Sequence, residues 1–279
     1  MALSKRTRRS ERSTSIEVGG GGRLAVSVSG RGKPLVWGHG LQCSMRADDT
    51  WGILDWNVIE QTARVIRYDA RAHGASSGSS DPDVCRWESL AVDMRRVAER
   101  FSRGNFVLGG ASMGCATALW AAVQNPGRIA GLVLVIPPTG WALRARQARS
   151  YRLISGLIRV AGRLPFRLLR RVLPERRARN PISAIAREVL YEISERDSRD
   201  VITAFEGAAR SDLPTLEQCA ALEIPALILA WPGDPVHPLS VARKLADTMP
   251  LATLSIVEHE GDVRHWSALI AEFIASLRD

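Results

Sequence analysis

Residues 105–119, NFVLGGASMGCATAL, set Ser112 between glycines at the point where an apolar run gives way to a small-residue helical pattern. A serine hydroxyl becomes a useful nucleophile only when a neighbouring base removes its proton. It must also be presented to the reacting carbonyl, which a sharp turn from strand into helix achieves. Such a turn leaves little room for neighbouring side chains, and Gly110 and Gly114 complete the G-x-S-x-G pattern that it requires. The preceding NFVL reads as a strand and the following CATALWAAV as a helix, the order that a nucleophile turn demands. Attack on a carbonyl further calls for backbone N–H groups around the developing oxyanion, one from the residue after the serine and one from an earlier strand-to-helix loop. Met113 is the first of these, and VWGHGLQ (36–42) supplies the second through Leu41. His39 and Gly40 in the same loop are candidate substrate contacts.

These groups need a frame. Strand-length apolar runs recur at LAVSVS (24–29), PLVW (34–37), RVIRYD (64–69), NFVLGG (105–110), GLVLVI (131–136), ALILAW (226–231) and ATLSIV (252–257). The first two lie close together, like a hairpin ahead of the main sheet. Between the others come amphipathic stretches such as CRWESLAVDMRRVAERF (85–101) and DVRHWSALIAEFIASL (262–277), the latter with Val263, Trp266, Ile270, Phe273 and Leu277 on one face. Strands alternating with helices predict an α/β fold, a mostly parallel central sheet with helices on both faces. The alternation lapses between LVLVIPP and LPTLEQCAALEIP, where the chain looks helical and is interrupted at Pro165, Pro174 and Pro181. The predicted organisation is a basic disordered tail at 1–18, a core domain made of 19–138 and 214–279, and an Arg-rich helical cap inserted at 139–213. Gly19 to Gly22 reads as a flexible turn, because no Gly-Lys-Ser/Thr follows to make a phosphate loop.

With 279 residues, 46% hydrophobic and 24% charged, the chain can bury a full-sized core. No run approaches the roughly 18–20 apolar residues of a membrane span, and the basic start lacks the apolar stretch of a secretory signal. Cys43, Cys85, Cys115 and Cys219 are scattered, without metal-ligand spacing, which predicts reduced thiols in a soluble cytoplasmic protein. The net charge of +9 is local: residues 1–12 carry five cations against Glu11, and residues 141–181 carry twelve arginines against Glu175 alone. Nucleic-acid binding is not expected, since no recognised module or aromatic-basic platform accompanies the charge.

The chain resembles the α/β-hydrolase superfamily over most of residues 24–277, through HGL (39–41), YDARAHGAS (68–76), GASMG (110–114) and WPGDPVHP (231–238) in family order. The second block is similar to the family's Asp-x-Arg-Gly-x-Gly stretch with Ala72 in place of one glycine, and it implies that Asp69 and Arg71 pin a loop. The resemblance implies that Asp234, after the strand ALILAW, is the triad acid that orients a histidine. The family's histidine follows the last strand, often after a glycine, and that pair falls here on Gly261-Asp262. Asp262 cannot act as the base. His259 lies in the loop proper and is favoured; His265, in the first turn of the terminal helix, is the alternative, and His237, three residues after Asp234, is a third option.

The expected activity is hydrolysis of a carboxylic ester, or of a related lactone or thioester, through an acyl-enzyme on Ser112. No metal or organic cofactor is called for. A non-hydrolytic protein of the same fold that binds a small apolar ligand, or an acyltransferase, is the alternative. In the cap, RSYRLISGLIRVAGRLPFRLLRRVLP (149–174) is a cationic amphipathic element. The expected partner is a small-molecule acyl ester, whose anionic group Arg159 and Arg163 would attract. Weak contact between the cap and a membrane surface is a further expectation.

Overall fold

A computed structural model describes residues 12–172, 181–258 and 260–278. Eight strands, Arg12–Val18 (β1), Gly22–Gly30 (β2), Lys33–Gly38 (β3), Ala63–Tyr68 (β4), Phe106–Ala111 (β5), Ile129–Val135 (β6), Ala226–Ala230 (β7) and Ala252–Ile256 (β8), form one sheet. Their order is β1-β2-β4-β3-β5-β6-β7-β8; β1 and β2 are antiparallel to their neighbours and every other pairing is parallel. The helices up to the insertion are Met45–Trp51 (α1), Trp56–Ile59 (α2), Trp87–Phe101 (α3) and Met113–Gln124 (α4). Within it lie Arg144–Ala161 (α5), Leu164–Val172 (α6), Pro181–Glu195 (α7) and Ser198–Ala209 (α8), and after it come Leu216–Ala220 (α9), Leu239–Thr248 (α10) and Trp266–Ser276 (α11).

Helices cover both faces of the sheet. One apolar layer joins Leu90, Met94 and Val97 of α3 and Leu119 of α4 to Val241 and Leu245 of α10. The other joins Ile59 of α2 to Trp266, Ile270 and Ile274 of α11, with Phe273 and Leu277 packed at its margin. Four indoles stiffen this second layer: Trp231 stacks on Trp266 at 5.2 Å, and Trp37 meets Trp56 edge-on at 5.4 Å. Trp37 Nε1 donates to Asp48 Oδ2 at 3.1 Å, and burial pushes the Asp48 carboxyl up to about 8 despite the opposing charge of Arg67 and that hydrogen bond.

Two expectations about the first strands are corrected. Residues 12–18 are not part of a disordered tail: they form β1, paired along its length with β2. Ile16 and Val18 are buried while Ser15 and Glu17 face solvent, so a two-residue alternation carries the strand through a polar composition. Residues 1–11 lie outside the described residues. Nor do β2 and β3 form a hairpin. Gly30 and Gly32 take φ values of 71° and 116°, and the chain crosses to the far side of β4, which separates the two strands. The hairpin is instead β1–β2, closed by Gly19–Gly21 with Gly20 and Gly21 at positive φ.

The inserted helices have their own small core, in which Tyr151 and Ile158 of α5 meet Val201, Phe205 and Ala208 of α8. The two ends of the insertion are tied together where they leave the sheet. Arg144 is buried over the Trp87 ring, 4.2 Å from its centroid, and donates to Ser211 O at 2.7 Å. Asp212 Oδ1 accepts from Trp141 N at 2.9 Å, and Trp120 Nε1 donates to Asp212 O at 2.8 Å. Pro165 sits in the first turn of α6 and Pro181 opens α7, where a missing N–H costs nothing; Pro174 lies outside the described residues.

Residue size at the start of α4 controls how closely this helix approaches the sheet. A Cβ on Gly114 would lie 2.0 Å from Gly38 O, and one on Gly110 would lie 2.6 Å from Gly114 Cα. We expect Gly114→Ala to destabilise the fold by more than about 3 kcal/mol, because backbone rather than a side chain would have to move. A urea denaturation midpoint indistinguishable from that of the native protein would contradict this.

Candidate active site

Ser112 stands between β5 and α4 with φ 52° and ψ −108°, a backbone conformation that costs a non-glycine residue roughly 1–3 kcal/mol and persists only when its surroundings hold it. Those surroundings are its own N–H, which donates to Val135 O at 3.0 Å, and its carbonyl, which accepts from Ala116 N at 3.2 Å in the first turn of α4. The strained turn lifts the side chain off the edge of the sheet toward the loop after β7.

That loop holds both remaining groups. The Ser112 hydroxyl donates to His237 Nε2 at 2.8 Å, and His237 Nδ1–H donates to Asp234 Oδ2 at 2.7 Å. Asp234 Oδ1 accepts from the backbone N–H groups of Val236 (2.8 Å) and His237 (3.2 Å), and the Trp231 indole donates to Oδ2 at 3.2 Å. Thr139 N donates to Val236 O at 3.2 Å and pins the loop to the segment after β6. Burial alone would raise the Asp234 carboxyl, but the hydrogen bond and charge of His237, with the Val236 amide and the Trp231 indole, hold it at about 2.

The histidine that hydrogen-bonds both Ser112 and Asp234 is thus His237, the third of the three options. His265 is exposed at the head of α11, and His259 lies outside the described residues. The signal for His237 was its spacing from Asp234: the carboxylate bonds two amides of its own turn, and this folds the histidine three residues on back over its acid.

The loop expected to hold an oxyanion, residues 39–42, approaches from β3. Gly40 lies against the serine, since a Cβ there would come within 3.8 Å of Ser112 Cβ. Met113 is the first residue of α4, so its N–H has no partner within the helix and sits at the positive end of the helix dipole. Leu41 lines the cavity beside Ser112, and the next residue, Gln42, has φ 56°. Three hydrogen bonds hold Gln42 there: its N–H donates to His73 Nε2 at 3.2 Å, its Nε2 donates to Val201 O at 3.0 Å, and its Oε1 accepts from Arg196 at 2.7 Å. Two of those partners belong to the inserted segment. The segment grips the core again where Arg46 pairs with Glu188 and Glu192 and Ser44 donates to Glu192 at 2.8 Å.

His39, expected as a substrate contact, is not among the residues that line the cavity above Ser112. It is buried, donates from Nδ1 to Gly40 O at 2.8 Å and accepts at Nε2 from Ala70 N at 3.0 Å, which ties the end of β3 to the end of β4. Burial, against the opposing charge of Asp69, holds its ring below the usual histidine range and so neutral. Asp69 accepts from Met45 N (2.7 Å) and Ala75 N (2.8 Å), and Arg71 pairs with Asp93, so both shape the loop.

A cavity of about 290 Å³ opens above Ser112. Tyr151, Ile154, Ile185, Val189, Ile193 and Phe205, all from the insertion, form most of its apolar wall, and Gln42 and Gln147 add amides. Arg159 and Arg163 are not among the lining residues. Arg159 pairs with Glu206 at 3.3 Å, and Arg163 donates to Glu195 O at 2.7 Å and to Arg196 O, capping the end of α7. Both guanidinium groups thus reach neighbouring helices of the insertion, while Tyr151 and Ile154 of α5 face the cavity. Among the described residues no cluster of His, Cys, Asp and Glu could hold a metal ion, and no helix is long and apolar enough to cross a membrane.

The family described as alpha/beta hydrolase fold matches residues 52–271. The chain is 25% identical over 198 residues to 3-oxoadipate enol-lactonase 2 of Acinetobacter baylyi, spanning 70% of each chain. Its fold is similar to a thermophilic esterase from Thermogutta terrifontis, at 23% identity and a TM-score of 0.71, covering 94% of this chain and 96% of that one. It is also similar to an esterase from Exiguobacterium antarcticum, at 18% identity and a TM-score of 0.74, covering 95% of this chain and all of the other.

The depressed Asp234 carboxyl makes a pH prediction. A carboxylate held at about 2 when folded, against about 3.9 unfolded, contributes stability that is fully present above about pH 4 and is lost as the pH falls toward 2. Asp234→Asn removes that contribution, so the native protein is expected to lose about 2 kcal/mol more than the variant on acidification through this window. Parallel urea titrations check it, and equal acid losses in the two proteins would overturn it.

Proposed function

Because the chain belongs to the alpha/beta hydrolase fold family, we propose that it is a serine hydrolase of carboxylic esters or related lactones, with Ser112 as nucleophile, His237 as base and Asp234 as the orienting acid. The observation that carries this reading is the unbroken hydrogen-bond chain from Ser112 through His237 to Asp234. Ser112 Oγ attacks the ester carbonyl as its proton passes to His237 Nε2, and Asp234 stabilises the imidazolium. The N–H groups of Leu41 and Met113 hold the oxyanion. Collapse of the tetrahedral intermediate breaks the bond to the alkoxy oxygen, which takes the proton from Nε2 and leaves as the alcohol. Water then adds to the acyl-enzyme by the same route, giving up its proton to His237 and releasing the carboxylic acid and free Ser112. The cavity is near the lower end of the roughly 300–1,000 Å³ common for small-molecule pockets, and its apolar wall suits an apolar acyl group.

A fluorophosphonate probe tests the triad. Covalent labelling, located by peptide mass spectrometry, is expected at Ser112, absent in Ser112→Ala and slowed roughly a thousandfold or more in His237→Ala. His259→Ala and His265→Ala are expected to label at the native rate. Labelling that survives in His237→Ala and disappears in His259→Ala would move the base to His259, and no labelling of folded native protein would sink the mechanism.

Gln42 acts in this reading as a positioning residue for the Leu41 N–H. Gln42→Ala is expected to lower kcat on a soluble ester by about tenfold to a hundredfold with little change in KM, because a misplaced oxyanion donor is lost chiefly in the transition state. A rise in KM at constant kcat would make Gln42 a wall of the cavity and nothing more.

A further inference from the structure

We propose that the outer face of the inserted helices α5 and α6 docks on an anionic phospholipid surface. Most of the exposed large apolar side chains among the described residues lie there: Leu153, Leu157 and Val160 at helical spacing on α5, and Leu164, Leu168, Leu169 and Val172 on α6. Val160 is 90% exposed and Leu153 and Val172 are each 75% exposed, so these are not margins of a packed core. The opposite side of α5 is engaged, with Tyr151 and Ile154 lining the cavity and Ile158 buried. The stripe is a second apolar face on a helix whose first face is already used.

Charge selects the occupant. From Trp141 to Val172 the chain carries nine arginines and no lysine, aspartate or glutamate. Arg146, Arg149, Arg152, Arg159, Arg167 and Arg171 are exposed beside the leucines. Guanidinium groups match phosphate oxygens with paired donors, and interleaved leucines reach the boundary between headgroups and acyl chains. A second copy of the chain is a poor fit, because a two-fold contact would set this cationic surface against itself.

Docking is read by co-sedimentation with vesicles, without any ester substrate, so its outcome is independent of the reaction proposed at Ser112. Vesicles of phosphatidylcholine alone are compared with vesicles containing phosphatidylglycerol. The native protein is expected to bind the second kind at least about tenfold more strongly, and less so as salt rises. Two triple variants, Leu153→Ser/Val160→Ser/Leu168→Ser and Arg146→Gln/Arg149→Gln/Arg171→Gln, are each expected to weaken this by about tenfold or more while labelling at Ser112 reports that they remain folded. Native protein that stays in the supernatant with phosphatidylglycerol vesicles overturns the proposal. Native-strength binding in both variants also overturns it, by assigning the contact to another part of the chain. Concentration-dependent self-association in analytical ultracentrifugation that the serine variant abolishes would make the face an interface between copies, and would equally overturn it.

Discussion

The active-site architecture depends on the close approach of the α4 N-terminus to the end of β3. Gly114 sits so near Gly38 O that no side chain can intervene. This contact lets β5 turn into α4 within one residue, and that residue, Ser112, is driven to φ 52°. One constraint therefore has three consequences: the hydroxyl is lifted clear of the sheet, the Met113 N–H is placed at a helix start, and Gly40 is brought against the serine. The strain at Ser112 is met by neighbouring strands and helix, since its N–H is held by β6 and its carbonyl by α4.

A second compact device complements the first. Asp234 binds two amides of its own turn and the indole of Trp231, leaving one direction of Oδ2 for the His237 ring. Acid and histidine thus share one loop, and their relative position is set by local backbone rather than by packing two distant loops. The same short range explains why Trp231 matters: it is stacked on Trp266 of α11, so the acid loop is anchored in the buried layer beneath it.

What could be read from the sequence divides along physical lines. Buried parallel strands such as GLVLVI announce themselves as apolar runs, and the Ser112 turn declares its steric needs through Gly110 and Gly114. β1 was hidden because only Ile16 and Val18 of its alternation are apolar, and the pairing partner of β2 was hidden because register and crossover are decided by contacts across the sheet. His237 was visible as a residue, but the position after the last strand drew attention to His259 and His265. The three-residue spacing marks a turn that can fold a histidine back over its acid, but not that the ring then reaches Ser112, which depends on where β5 and β7 lie in the sheet. Arg159 and Arg163 bind neighbouring helices instead of facing a substrate's anionic group, and periodicity gives the faces of a helix without saying which face meets which neighbour.

That ambiguity on α5 bears on the design of the insertion. A helix over a cavity needs one apolar face, and α5 supplies it with Tyr151, Ile154 and Ile158. A helix in contact with water alone would gain from a fully polar outer face, yet Leu153, Leu157 and Val160 stand there among arginines. Several of the arginines are also anchored inward, as Arg163 and Arg167 are to carbonyls at the end of α7, which fixes the spacing of the cations on the surface. Gln42 joins this same end of the insertion to the loop after β3 through Arg196 and Val201. A displacement of α7 or α8 would therefore reach the N–H of Leu41 through two hydrogen bonds, so the outer surface of the insertion and the electrophilic end of the site are parts of one connected structure.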